Sequence, residues 1–209
     1  MTKSKKEEMD LKPIFIYLGS MFFLPVLLMI VFSFRQVNED ISNTIIQFFA
    51  LLVPAIIFIK MYYKRIVTDA KSISLRMLLI ILIMGVVGCI VNEVITPYIT
   101  TENQEILVQM IKTLPVLSCI CICLLGPFVE EMVFRYSIDT FIKNDKVFIL
   151  VSSLAFGLIH TSGFGTGWWL YVMIGLLLSF VYVKANHNVV ASTMIHILLN
   201  IVDFLFIIL

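Results

Sequence analysis

The chain has 209 residues, 60% of them hydrophobic and 14% charged, with a mean hydropathy of +1.03; soluble domains run near half apolar and a quarter charged, so this is a membrane protein. Lys and Arg number 15 against 14 Asp and Glu, a net charge of +1, which supplies neither a basic field for nucleic acid nor an acidic tail. Nucleic-acid partners are excluded, and the expected solvent is the lipid bilayer.

Apolar runs of about 20 residues predict seven spans in an all-α, polytopic transmembrane bundle. The first, Pro13 to Phe34, ends without a small-x-small cleavage site, which marks a retained helix and not a secretory signal. Ile41 to Ile59, Leu75 to Ile99 and a run opening near Leu114 follow, then Val147 to His160, Trp168 to Val183, and Val189 to Leu209. No segment repeats at a fixed period. Short cytoplasmic loops collect Lys and Arg, and a cytoplasmic N-terminus places Lys3, Lys5, Lys6, Lys12, Lys60, Lys64, Arg65, Lys71, Arg76, Lys143, Lys146 and Lys184 inside. Only Arg35 and Lys112 fall outside. Trp168 and Trp169 open the sixth span from the outer side, where an aromatic belt is expected. The four cysteines, Cys89, Cys119, Cys121 and Cys123, all lie in spans and read as small apolar packing residues, not as a disulfide frame.

The fourth span breaks the apolar rule. Gly126-Pro127-Phe128-Val129-Glu130-Glu131-Met132-Val133-Phe134-Arg135 carries three charges between apolar runs, and each ionisable group in a span costs roughly 2.5 to 3.5 kcal/mol on insertion scales. Glu131 and Arg135 are i, i+4 in the favourable acid-first order; Glu130 is turned about 100° away. Lys143 marks the cytoplasmic edge 13 residues after Glu130, which places that carboxylate about 20 Å deep. A juxtamembrane salt bridge would sit shallower. His160 lies 14 residues after Lys146 and His196 lies 12 after Lys184, about 21 and 18 Å from the same edge. Asn200 shares a helix face with His196. Three spans thus bring Glu130, His160, His196 and Asn200 to one depth, whereas His187, in a loop between two asparagines, reads as solvated surface.

Such a set suits amide hydrolysis. A carboxylate can take a proton from water, a neutral imidazole can orient that water, and a second histidine with an amide N–H can stabilise an oxyanion. It also suits a zinc site with Glu and His ligands. The His-Glu-x-x-His zinc helix is absent, and Asp203 is the only Asp within a predicted span, so paired aspartates are ruled out. Ser162, with His196 as base, is a conceivable nucleophile, but His160 stands where an intramembrane serine protease needs Gly.

Taken in order, Glu130-Glu131-x-x-x-Arg135, Phe156-x-x-x-His160 and His196-x-x-x-Asn200 resemble the CAAX protease and bacteriocin-processing (CPBP, or Abi) family, which includes the Ras-converting CAAX prenyl endopeptidases. The resemblance covers roughly Leu114 to Asp203. It implies a multi-pass intramembrane endopeptidase of a bacterial cell membrane, acting on a membrane-associated peptide or lipidated protein, with its cavity open toward the membrane and cytosol. Under it Glu130 is the base that activates water, His160 holds that water, and His196 and Asn200 stabilise the oxyanion. Glu131 and Arg135 support them. The family is described both as metal-dependent and as metal-free, so zinc on Glu130, His160 and His196 stays open. The implied organisation is a cytoplasmic tail at 1–12, two N-terminal helices at 13–71 that serve as packing, and a CPBP-like catalytic core at 72–209 with its motifs within 114–203. A non-catalytic protein of bacteriocin self-immunity is the alternative from another class, and proton-coupled transport, with Glu93 as the further relay acid, is a third. Asp203 reads as a residue facing the outer surface.

Overall fold

The computed structural model describes residues 9–95, 101–161 and 164–209, and every regular element among them is a helix. The side chain of Glu93 and residues Ser162, Lys3, Lys5 and Lys6 lie outside what is described. In chain order the helices are α1 (Lys12–Ser33), α2 (Glu39–Lys71), α3 (Leu75–Ile95), α4 (Glu102–Thr113), α5 (Pro115–Phe141), α6 (Asp145–Ile159), α7 (Thr166–Lys184) and α8 (Val189–Ile208).

Within the described residues all seven apolar runs are helical, and five of the described helices (α1, α2, α5, α7 and α8) are long and apolar enough to cross a membrane. The expected count of seven spans is not confirmed, and the end of the third run, 96–99, lies outside the described residues. α3 is apolar over Leu75–Val91. α6 has 15 residues, about 22 Å, and stops where His160 caps it at the depth of the site. α4 was not anticipated, because its alternating polar residues carry no span signal; it is a two-faced helix with Met110 and Ile111 buried. α1 is the opposite case: only 6% of its most apolar stretch is buried within the protein, so its Phe15, Phe22, Phe23 and Leu27 face lipid.

Side-chain caps set several boundaries. Asn38, Asn144 and Asn188 each accept backbone N–H groups at the start of α2, α6 and α8, and Pro115 opens α5, where its missing N–H is harmless. Pro127 is harder to accommodate. In the turn Cys121–Leu125 the helix widens, and the Gly126 N–H reaches Cys121 O, five residues back. The next N–H in that pattern would come from residue 127 and serve Ile122 O, but Pro has none. Asn200 Nδ2 of α8 donates to Ile122 O instead, at 2.8 Å. A second wide turn, Met132–Ser137, is served in the same way by Ser152 Oγ of α6, 2.7 Å from Phe134 O. Without water in the bilayer, neighbouring helices supply these bonds.

Helix ends and turns that carry Lys and Arg are joined to one another at one end of the bundle. Asp10 accepts from Tyr62 of α2 and takes Thr140 of α5 as partner; Arg65 donates to His187 O; Asn188 reaches Asp69 O and Ser72. His187 is therefore not loose surface. Its Nδ1 lies 3.1 Å from Asp139 Oδ2 and its Nε2 lies 3.6 Å from Asp145 Oδ1, so it clasps the α7–α8 turn to the α5–α6 turn. Trp168 also departs from expectation. It is buried against α6, and only Trp169 points outward.

The α6–α7 contact is closed by small residues, as in many membrane interfaces. A Cβ on Gly175 would stand 2.9 Å from Ser153 Cα and 3.2 Å from its carbonyl oxygen, and backbone cannot give way as a side chain can. Gly175→Ala is expected to destabilise the protein by roughly 1 to 3 kcal/mol, whereas Gly19→Ala, which meets nothing within 4 Å, leaves it unchanged. Thermal unfolding in one detergent checks the pair, and equal melting temperatures would contradict the close packing.

Candidate active site

Of the six residues singled out from sequence, four line one cavity and two stand behind it. Glu130 of α5, His160 at the end of α6, and His196 and Asn200 of α8 line a cavity of about 530 Å³. Glu131 and Arg135 have no exposed surface, so they reach substrate only through other groups.

The carboxylate of Glu130 holds the centre. Its Oε2 lies 3.6 Å from His160 Nε2 and 3.7 Å from His196 Nε2, and makes no hydrogen bond within the described residues. The other nitrogen of each ring is committed. His160 Nδ1 is 2.8 Å from Phe156 O, a carbonyl that can only accept, so Nδ1 carries the proton. His196 Nδ1 is 3.0 Å from Glu131 Oε1, and Glu131 Oε2 is 3.3 Å from Arg135 Nε. Both rings therefore turn Nε2 toward Glu130. A neutral ring presents a lone pair there, and beside a carboxylate oxygen such a nitrogen suits a proton donor such as water, which can give one hydrogen to the carboxylate and one to the ring.

Arg135 is fixed in turn. Its guanidinium stacks over the Phe156 ring at 4.8 Å, and its Nη2 donates to Gly175 O at 3.4 Å. The conserved geometry of an ordinary helix turn would give the Glu131–Arg135 pair; the reach of Glu131 to His196, 65 residues on, was not legible in the chain. Asn200 is only partly available to a ligand, because one amide N–H is spent on Ile122 O and one remains. Among the described residues no cluster of three or more His, Cys, Asp or Glu side chains is arranged to hold a metal ion. None of the four cysteines is in a disulfide.

The structure adds residues that sequence reading passed over. Tyr171 of α7 stacks on the His160 ring, with centroids 4.7 Å apart and planes at 23°. Its hydroxyl accepts from Asn103 Nδ2 at 2.9 Å and meets Thr101 Oγ1 at 3.3 Å, which ties α4 to the site. Tyr17, Leu18, Met21 and Phe22 of α1 and Gln47 and Leu51 of α2 line the cavity too; the two N-terminal helices are walls and not mere packing. Asp203 also lines it, contrary to the expectation that it faces outward. No spacing signal marks these residues, since each comes from a helix whose rotation only packing decides.

Comparison with known proteins bears out the resemblance carried by the three motifs. Residues 112–202 match the family model described as Type II CAAX prenyl endopeptidase Rce1-like, a stretch that holds all six site residues. Among curated relatives, the UPF0177 protein YxdF of Lactococcus lactis subsp. lactis (strain IL1403) is 38% identical over 36% of this chain and 41% of its own length. The UPF0177 protein YvdC of the same strain is 30% identical over 59% of this chain and 46% of its own. The UPF0177 protein in the abiGi 5'region of Lactococcus lactis subsp. cremoris is 32% identical over 48% and 45%. The chain spans less than half the length of each of these relatives. No solved structure matches it.

Proposed function

We propose that this integral membrane protein is an endopeptidase that hydrolyses a peptide bond in a membrane-associated peptide or protein, using water activated by Glu130. The observation that carries the reading is the convergence of Glu130 Oε2 with two imidazole Nε2 atoms, at 3.6 and 3.7 Å, on the wall of a cavity of about 530 Å³, a volume typical of ligand sites. Support comes from the matched family model, described as Type II CAAX prenyl endopeptidase Rce1-like.

The chemistry follows from the proton inventory. Water between Glu130 and His160 loses a proton to the Glu130 carboxylate as its oxygen attacks the scissile carbonyl carbon, and His160 Nε2 orients it by accepting its second hydrogen. The negative charge that develops on the carbonyl oxygen needs donors. The free N–H of Asn200 is one. His196 is the other only when its Nε2 is protonated, a state that the Glu131 carboxylate on Nδ1 supports by pairing with the imidazolium. Glu130 then returns its proton to the leaving amine, and both products leave with the base restored. The relatives from Lactococcus lactis support a bacterial cell membrane as the setting.

The test is reconstitution of the full chain in liposomes with short membrane-anchored peptides, reading new termini by mass spectrometry in water enriched in oxygen-18. Cleavage with heavy oxygen in the new carboxylate is expected. Intact peptides across a broad set, from protein shown to be folded, would overturn the reading in favour of a role by binding alone.

A further inference from the structure

The cavity runs from the middle of the bundle toward one end, taking Tyr17, Leu18, Met21 and Phe22 from the first half of α1. From α6 it takes Phe156, Ile159 and His160, the last turn of that helix; from α7, Leu170, Tyr171 and Ile174, its opening turns. From α8 it takes His196 onward to Phe206 and Ile207, the end of the chain's last helix. α4 supplies Asn103, Gln104, Leu107 and Met110. Glu130 and Tyr17 form the floor, and no residue of the α5–α6 turn, the α7–α8 turn or the second half of α2 takes part.

Those excluded segments are the ones that carry the cations. Lys60, Lys64, Arg65, Lys71, Lys143, Lys146 and Lys184 all belong to the opposite end, which is held together by the Arg65–His187, His187–Asp139 and Asn188–Asp69 contacts. The end that holds the cavity has α4 as its border, docked on α7 through Tyr171 and through Gly167, where an added Cβ would strike Thr101 Cγ2 at 2.5 Å. Lys and Arg in short loops mark the cytoplasmic face. By that rule the basic end faces the cytosol and the cavity the other side, opposite to the cytosolic opening that the family resemblance implies.

Resting on the peptidase reading above, we propose that the site is served from the extracytoplasmic half of the membrane, and that its substrate is an extended peptide with an apolar stretch lodged in the outer leaflet. The side of entry is apolar. Phe22 of α1 and Phe206 and Ile207 of α8 line the cavity while each is exposed on the bundle surface, so the wall between α1 and the end of α8 is continuous with lipid. A segment that already lies in the outer leaflet reaches Glu130 past these side chains without carrying its backbone across the membrane. Asn103 and Gln104 on α4 meet it at the water-facing rim with amide groups able to bond an extended backbone.

Sidedness can be read without any assay of hydrolysis. Glu105, exposed on α4, and Lys143, exposed at the basic end, are replaced one at a time by Cys in the full-length protein, in the presence of its native thiols, which lie within helices and serve as the unlabelled background. Intact cells are treated with a membrane-impermeant maleimide. The Glu105→Cys protein is expected to be labelled at once, and the Lys143→Cys protein only after permeabilisation. Labelling of Lys143→Cys from outside, alone or together with Glu105→Cys, overturns the proposal. In vesicles of known orientation, an apolar peptide is then added to one face; cleavage from the face bearing Glu105 is expected, and cleavage only from the Lys143 face overturns the proposal even where labelling agrees. The expected labelling with no cleavage from either face leaves the orientation standing and removes the peptidase reading, so the two fail separately.

Discussion

Glu130→Gln is expected to lower the rate of peptide hydrolysis by about 10² to 10⁴-fold, the range that a positioned general base contributes, while the protein stays folded in the membrane. The amide is close in shape to the carboxylate but has no lone-pair charge with which to take a proton from water. Its surroundings are spared. The Glu131–Arg135 pair and the Nδ1 bonds of both histidines involve other atoms, so no anchoring interaction of the site is lost. Initial rates at saturating substrate, with melting temperature in parallel, check both halves. Wild-type turnover by a folded Glu130→Gln protein would remove Glu130 from the mechanism, and a collapse in melting temperature would show that it is instead a structural group.

Arg135→Leu is expected to have the largest effect on stability, about 3 to 5 kcal/mol, because removal of one partner leaves a fully buried charge uncompensated. Arg135 and Glu131 both have zero exposure, and the guanidinium also holds Gly175 O and the face of Phe156. Glu131→Gln in the same protein should recover much of that loss, since the charge is gone and a Gln carbonyl can still accept from His196 Nδ1. Hydrolysis would not return to the same degree, because a neutral amide supports the His196 imidazolium less well. Denaturation of the single and double variants in matched detergent measures the coupling. A loss below about 1 kcal/mol for Arg135→Leu, the size of an exposed ion pair, would contradict the buried pairing.

The helices and the six candidate site residues were legible in the chain for one physical reason. In a bilayer the transfer free energy of a segment is nearly a sum over its own residues, so apolar runs report spans and the exceptions, Glu130, Glu131, Arg135 and the two deep histidines, report something worth their expense. The same additivity explains what was missed: α4 carries no apolar run, because a helix lying at the rim need not be apolar. His187 and Trp168 were misplaced because a residue beside a turn or at a helix end takes its environment from whichever element packs against it.

What the tertiary structure alone decided is orientation and contact between helices. Two wide turns in α5, one of them forced by Pro127, rotate the register between Cys121 and Ser137, and no periodicity count carries through them. Once α8 is set beside α5, Glu131 meets His196 across 65 residues of chain and Asn200 meets the carbonyl that Pro127 orphans. The sequence by itself determined the solvent, the helical class, the basic border and the depth of the polar layer, since each depends on a residue and its near neighbours. Which half of the membrane that layer faces, and which of its atoms point at one another, depends on how seven distant segments rotate and pack, and a one-dimensional pattern holds no term for that.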